Sequence, residues 1–339
     1  MNYQLLGRSG LRVSELCLGT MTFGEEWGWG ANSEESRAIF DAFTAAGGNF
    51  LDTADGYTNG TSEKMVGEFA SAERARYVLA TKFSFNQRRG DPNGGGNHRK
   101  NMVQALEGSL RRLGTDYVDL YWMHAWDEMT PVDEVMRAFD DLVRAGKVLY
   151  IGISDAPAWW VAQANTLAEL RGWTRFVGLQ IEYNLIERTP ERELLPMAAA
   201  LGLTVTPWSP LAGGWLTGKY AGKAKEERRL DKTPQFARRT ERNSAIAATV
   251  VKVARAAGKS PAQVALNWLR ARNTVPILGA RKLDQFTDNL NCLKWSLPAK
   301  QLAQLDAVSA IEPGFPTDFL ERPFVRDFLH GGTYEHIRK

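Results

Sequence analysis

Eight short apolar runs, each followed by a longer amphipathic or polar stretch, restrict what this chain can fold into more than any other feature. The runs are "SELCLG" (14–19), "NFLD" (49–52), "YVLATK" (77–82), "VDLYWMH" (118–124), "VLYIGIS" (148–154), "FVGLQI" (176–181), "LTVTPW" (203–208) and "VPILG" (275–279). Helical patterns lie between them, among them "SEESRAIFDAFTAAG", "NMVQALEGSLRRLG", "PVDEVMRAFDDLVRAG" and "ERELLPMAAALG". Ser33, Pro131 and Pro190 stand at helix starts, and Gly47, Gly114, Gly146 and Gly202 at helix stops. Strands separated by one helix each pair in parallel, because a crossover of that length returns the chain to the same end of the sheet. Eight such units predict an α/β fold, a closed (β/α)8 TIM barrel. A doubly wound open sheet would carry G-x-G-x-x-G after its first strand. The stretch "GTMTFGEEWGWGANS" that follows here lacks it.

With 339 residues the chain is within the range of one such barrel, and it reads as a single domain from 1 to 339. Residues 1–13 are expected to form a hairpin capping the N-terminal end of the barrel. The Lys-, Arg- and Glu-rich segment 220–242 reads as a mobile loop. Residues 298–339 hold one more helix, "PAKQLAQLDAVSA", and then an irregular aromatic tail. Net charge is only +3, and no run of five basic residues appears, so a nucleic-acid footprint is not visible. No apolar stretch approaches the roughly 18 residues needed to span a bilayer. The N-terminus lacks a signal-peptide pattern. Cys17 and Cys292 read as reduced, buried thiols, and cytoplasmic residence is the expectation.

Barrel active sites gather at the C-terminal ends of the strands. Asp52 ends the second candidate strand, Lys82 the third and His124 the fourth, while Tyr57 lies in the loop after the second. Each has a structural reading alone: Asp52 as a turn cap, Lys82 as a surface lysine, His124 as a core histidine. Together, at three consecutive strand ends, they suit proton chemistry. A tyrosine ionises near 10, but an ammonium about 4 Å away is worth roughly 4 kcal/mol at an effective dielectric of about 20. That lowers the phenol by up to about three units, before desolvation subtracts. Asp52 would keep Lys82 charged and aimed, and His124 would bond a substrate oxygen. The set is general-acid equipment for an oxygen on which negative charge develops, as when a carbonyl receives a hydride. No nucleophile motif or metal-ligand set accompanies it.

"FLDTADGYTNGTSE", "LATK", "VDLYWMH", "GISD", "TPWSPLAGGWLTGKY" and "PILGARKLDQFTDNL" resemble the aldo-keto reductase family over about residues 3 to 310. Within it, the branch resembled is that of bacterial aryl-alcohol dehydrogenases and channel β-subunits. The resemblance implies a barrel that binds a nicotinamide cofactor without a Rossmann domain, with Asp52, Tyr57, Lys82 and His124 as its catalytic tetrad and Tyr57 as proton donor. It also implies cofactor contacts at Gly19, Thr20 and Met21, and at Ser154, Asp155 and Gln180 around the carboxamide. Asp155 departs there from the commoner Asn. Trp208 would stack on the nicotinamide ring, with Ser209, Pro210 and Leu211 after it. Gly213, Leu216, Gly218 and Lys219 would clamp the pyrophosphate. Their spacing, G-x-x-x-x-G-K, nearly matches a phosphate loop, but Tyr220 stands where Ser or Thr would hold magnesium. After Gly279, the resemblance gives Arg281 to an adenosine 2′-phosphate and Gln285 and Asn289 to the adenine side, so NADP(H) is expected over NAD(H).

Phe23, Trp27, Trp29, Phe85 and Trp126, together with Met21, follow strand ends and are expected to line a substrate pocket, with Phe315 and Phe319 of the tail as candidates to close it. An aromatic mouth favours small aldehydes, aryl aldehydes or open-chain sugars. The expected partner is therefore a small-molecule carbonyl compound, with neither nucleic acid nor membrane. The oligomeric state is open, a homo-oligomer included. Two other functions suit the same barrel: a regulatory subunit whose bound cofactor reports redox state with very slow turnover, and a sugar isomerase that binds no cofactor.

Overall fold

A computed structural model describes residues 1–220 and 239–338. Strands β1 (Tyr3–Leu5) and β2 (Arg12–Ser14) form the N-terminal antiparallel hairpin. Eight strands follow: β3 (Cys17–Gly19), β4 (Phe50–Asp52), β5 (Val78–Phe83), β6 (Val118–Met123), β7 (Val148–Ser154), β8 (Phe176–Glu182), β9 (Thr204–Trp208) and β10 (Ile277–Leu278). They pair in parallel in the order β10-β3-β4-β5-β6-β7-β8-β9. The Val275 N–H donates to Val205 O at 2.9 Å, which brings the two ends of the sheet together as a (β/α)8 barrel.

Strand residues alternate between two cores. On β5, Leu79 and Phe83 face the surrounding helices, while Val78, Ala80 and Lys82 point into the barrel. Leu6 and Val13 of the hairpin join Cys17, Phe50, Val78 and Val275 in the interior cluster, so the hairpin plugs the end away from the rim that carries Asp52. The widest side chain of the interior is Trp122, level with Lys82 in register. A Cβ at Gly152 would lie 2.2 Å from its ring, and one at Gly178 2.8 Å away, so only glycine on β7 and β8 admits the indole.

Side chains from just outside the helices cap their first turns: Asn32 for Ser33–Ala45, His98 for Arg99–Leu113, Thr240 for Glu241–Ala257 and Ser260 for Pro261–Arg270. The expected helix after Pro298 spans Ala299–Ser309. Beyond it the tail departs from the irregular segment expected. Helices Thr317–Leu320 and Pro323–His330 form, the second started by Pro323 and stopped by Gly331 in left-handed backbone. Of the segment expected as a mobile loop, residues 221–238 lie outside the described residues. Among the described residues, no helix is long and apolar enough to cross a membrane and no side-chain cluster could hold a metal ion.

Candidate active site

Lys82 is wholly buried, which is tolerable for an ammonium only if every N–H is met. All three are. The Nζ donates to Asp52 Oδ2, to Thr53 O at 2.8 Å and to Tyr57 Oη at 3.1 Å. The other oxygen of Asp52 accepts from Gln180 Nε2 at 3.0 Å, from across the barrel. That bond gives the amide nitrogen of Gln180, a residue expected beside the cofactor carboxamide, a role in orienting Asp52. Burial alone would drive the Lys82 ammonium toward neutrality, but Asp52 and then Tyr57 outweigh it, and its pKa ends above the ordinary value.

The Asp55 N–H donates to Lys82 O at 3.1 Å and the Tyr57 N–H to Ala54 O at 3.2 Å, so the loop that carries the phenol is tied to the strand that carries the ammonium. Here the electrostatic expectation is corrected. Desolvation is the largest influence on Tyr57 and raises its pKa; Lys82 pulls the other way without overcoming it, and the phenol ends above 10.0. Because Tyr57 Oη accepts from Lys82, its own proton is free to point elsewhere.

His124 follows β6, its N–H bonded to Phe83 O at 2.9 Å, and its ring lies edge-on to Tyr57 with centroids 5.8 Å apart. Desolvation, with the Lys82 charge second, holds the imidazole well below 6.5, so it is neutral. Its Nδ1 is buried without a partner. Aromatics extend the mouth from this pair. Trp27 meets Tyr57 at 6.4 Å and Trp29 at 5.7 Å, and Phe85 lies 4.5 Å from the His124 ring. Trp126 packs edge-on against Trp159 at 5.7 Å. Trp159 was not singled out from the sequence, although "APAWW" just after a strand end was a signal for it. Phe23 is a correction: its side chain is fully buried against Phe69 in the helix-side core and does not line the mouth. Phe315 and Phe319 contact each other, and Phe319 contacts Phe324, rather than any ring of the mouth.

The residues expected to hold a cofactor are spread around the rim, at the ends of β3, β7, β9 and β10. At the ends of β3 and β7, Gly19, Thr20 and Ser154 are buried and Met21 is half-buried. The Thr20 hydroxyl bonds Asp52 O at 3.1 Å and the Ser62 hydroxyl at 2.8 Å, an internal role. Asp155 has left-handed backbone (φ 43°) and its Oδ1 accepts from Trp208 Nε1 at 3.1 Å, which fixes the indole at the mouth. Desolvation raises the Asp155 carboxyl to about 6 against that bond. A cavity of about 350 Å³ opens beside Asp155 and Trp208, bounded by Ile181, Glu182, Thr189 and Leu194. After Trp208 the chain turns sharply, with positive φ at Ser209, Ala212, Gly213, Gly214 and Gly218. Pro210 and Leu216 are buried there and Leu211 is half-buried. The Lys219 side chain folds over Gly214, where a Cβ would meet its Nζ at 2.5 Å. Beside this loop, Gly279 is exposed, Arg281 half-buried, Gln285 exposed and Asn289 buried.

These residues fit a nicotinamide dinucleotide on grounds of their own. An indole fixed beside a cavity, a glycine cradle under a lysine and an arginine opening a helix follow one another along adjacent loops, as aromatic ring, pyrophosphate and adenosine phosphate would require.

The model of the aldo/keto reductase family matches residues 15–310. A norsolorinic acid reductase of Emericella nidulans is 37% identical, over 97% of this chain and 87% of its own length. An aryl-alcohol dehydrogenase [NADP(+)] of Phanerodontia chrysosporium is 37% identical over 92% of this chain and 87% of its own length. A putative aryl-alcohol dehydrogenase of Saccharomyces cerevisiae is 35% identical over the same shares, 92% and 87%. These relatives carry fungal rather than bacterial names. The chain belongs to the aldo/keto reductase family.

Proposed function

We propose that this protein is an NADP(H)-dependent oxidoreductase that reduces aldehydes and ketones to alcohols, with Tyr57 as proton donor. The observation that carries the reading is the bonding of Lys82 to Asp52, Thr53 and Tyr57, which leaves the phenolic proton of Tyr57 as the free acid at the barrel mouth. Bound along the rim from Trp208 to Arg281, the cofactor would supply the hydride that adds to the carbonyl carbon. As charge develops on the carbonyl oxygen, Tyr57 gives it the proton. Even with its pKa raised, a phenol remains far more acidic than the alcohol formed. Lys82 stabilises the phenolate left behind. His124 is neutral, and an unpartnered buried acceptor costs less than an unpartnered buried N–H, so we assign its proton to Nε2 and let that N–H bond the substrate oxygen.

Trp27, Phe85 and Trp126 support flat or apolar carbonyl compounds as substrates, aryl aldehydes foremost, with small aldehydes and open-chain sugars as the alternatives. The names of the relatives point the same way. Two buried free thiols accord with a reducing, cytoplasmic compartment.

The test is oxidation of NADPH by the purified protein against a panel of aryl, aliphatic and sugar aldehydes, beside direct titration of NADPH fluorescence. Turnover with at least one aldehyde class is expected. Tight cofactor binding with negligible turnover throughout would favour a redox-reporting subunit, and no binding at all would favour a cofactor-free isomerase.

A further inference from the structure

Glu35 lies in the first turn of the helix Ser33–Ala45, three residues after the cap Asn32. The cap is made, since Asn32 Oδ1 accepts from the Glu35 N–H at 2.9 Å. A glutamate at this place ordinarily turns back onto the N–H of the cap residue. Here its Oε1 accepts from the N–H of Leu283, 248 positions along the chain. Leu283 opens the helix Leu283–Leu290, whose cap residue Lys282 makes no side-chain cap bond. A carboxylate from a different helix therefore supplies the anion that this N-terminus attracts.

The place is also the one where an adenosine phosphate is proposed to sit. Arg281 lies two residues earlier, and among the described residues nothing engages its guanidinium. The backbone next to it is pinned, because Thr22 Oγ1 donates to Ala280 O at 2.7 Å. One N–H cannot serve two anions. A 2′-phosphate must evict Glu35 or bind beside it against repulsion, whereas a ribose with a plain 2′-hydroxyl brings no charge and can itself donate to a carboxylate.

We propose that Glu35 determines cofactor specificity: its carboxylate, held on the Leu283 N–H beside the place of a 2′-phosphate, repels that phosphate and so weakens 2′-phosphorylated dinucleotides relative to NAD(H). This rests on the cofactor reading above and adds a residue that limits the preference for NADP(H).

Wild type and Glu35→Gln are titrated with NADP⁺, NAD⁺, 2′,5′-ADP and 5′-AMP, following quenching of tryptophan fluorescence. Gln keeps an oxygen able to cap Leu283 but carries no charge, and thermal unfolding of the variant checks that the fold is kept. The expected result is about three- to tenfold tighter NADP⁺ and 2′,5′-ADP, with NAD⁺ and 5′-AMP changed by less than about twofold. The gain should shrink as salt is raised. Equal changes for all four ligands, or weaker NADP⁺, overturn the assignment to Glu35. If wild type binds neither dinucleotide, the cofactor reading falls as well, so the two failures are distinguishable.

Discussion

Lys82 Nζ donates to Tyr57 Oη at 3.1 Å, and yet the phenol is harder to ionise than a free tyrosine, because desolvation outweighs the pull of the ammonium. The acid is therefore kept loaded rather than poised to ionise at neutral pH. For aldehyde reduction, kcat/KM should show no loss from Tyr57 between about pH 7 and 9, and should fall only above about 10. A pH–rate profile with a fall near 7 that persists in an Asp55→Asn variant would mean that the ammonium dominates after all. Tyr57→Phe should reduce turnover by about 10²- to 10⁴-fold while cofactor affinity stays within about twofold of wild type.

The bond between Lys82 and Asp52 is fully desolvated, so its two ends are not equivalent to lose. Lys82→Met leaves the Asp52 carboxylate with Gln180 alone and should cost about 3–5 kcal/mol. Asp52→Asn leaves Lys82 its bonds to Thr53 O and Tyr57 Oη and still presents an amide oxygen, so it should cost less. The double variant should be more stable than Lys82→Met by itself, because no charge is then stranded. Denaturant unfolding of the three proteins checks this, and strict additivity of the two single losses would contradict a coupled pair.

The parts of this site that could be read from sequence are those set by short-range pattern. Asp52, Lys82 and His124 each sit at or just beyond the end of an apolar run, and the barrel rule gathers strand ends at one rim. The parts that could not be read are set by contacts between distant segments. Gln180 reaches Asp52 across 128 positions and Glu35 reaches Leu283 across 248, and no local spacing encodes either. Pattern does not place Phe23, because a residue four past a strand end can turn to the mouth or to the helices, and here it turns to Phe69. The shift of Tyr57 depends on how much water the surrounding rings and loops remove, which is a property of packing. The tail reads as irregular and aromatic, yet Pro323 and Gly331 carry the start and stop signals of a helix.

Arg281 tests the adenosine end independently of Glu35. Its guanidinium has no other engagement among the described residues, so its removal should leave folding untouched. Arg281→Ala is expected to raise the KM for NADPH by about tenfold or more, as loss of a charge-assisted phosphate contact should, with little change for NADH. Steady-state kinetics with both cofactors measures it. Equal effects on the two would remove Arg281 from the phosphate.

Asp55 offers a test that needs no cofactor. It is buried two residues before Tyr57, one carboxyl oxygen has no partner, and desolvation with the Glu63 charge lifts its pKa from 3.8 to about 7 against the pull of Arg112 and Lys82. Below about pH 4 the folded and unfolded chains both hold the proton. Between about 4 and 7 the folded chain keeps it while the unfolded chain releases it, so each step upward in pH favours unfolding. Above 7 the folded protein must bury a carboxylate beside Glu63, and the contribution is lost. Asp55→Asn removes that titration. Its stability should match wild type most closely near pH 4 and exceed it by on the order of 2–4 kcal/mol at pH 8. Urea midpoints at pH 4.5, 6 and 8 measure the difference, and curves that stay parallel across that range would show that Asp55 carries no such proton.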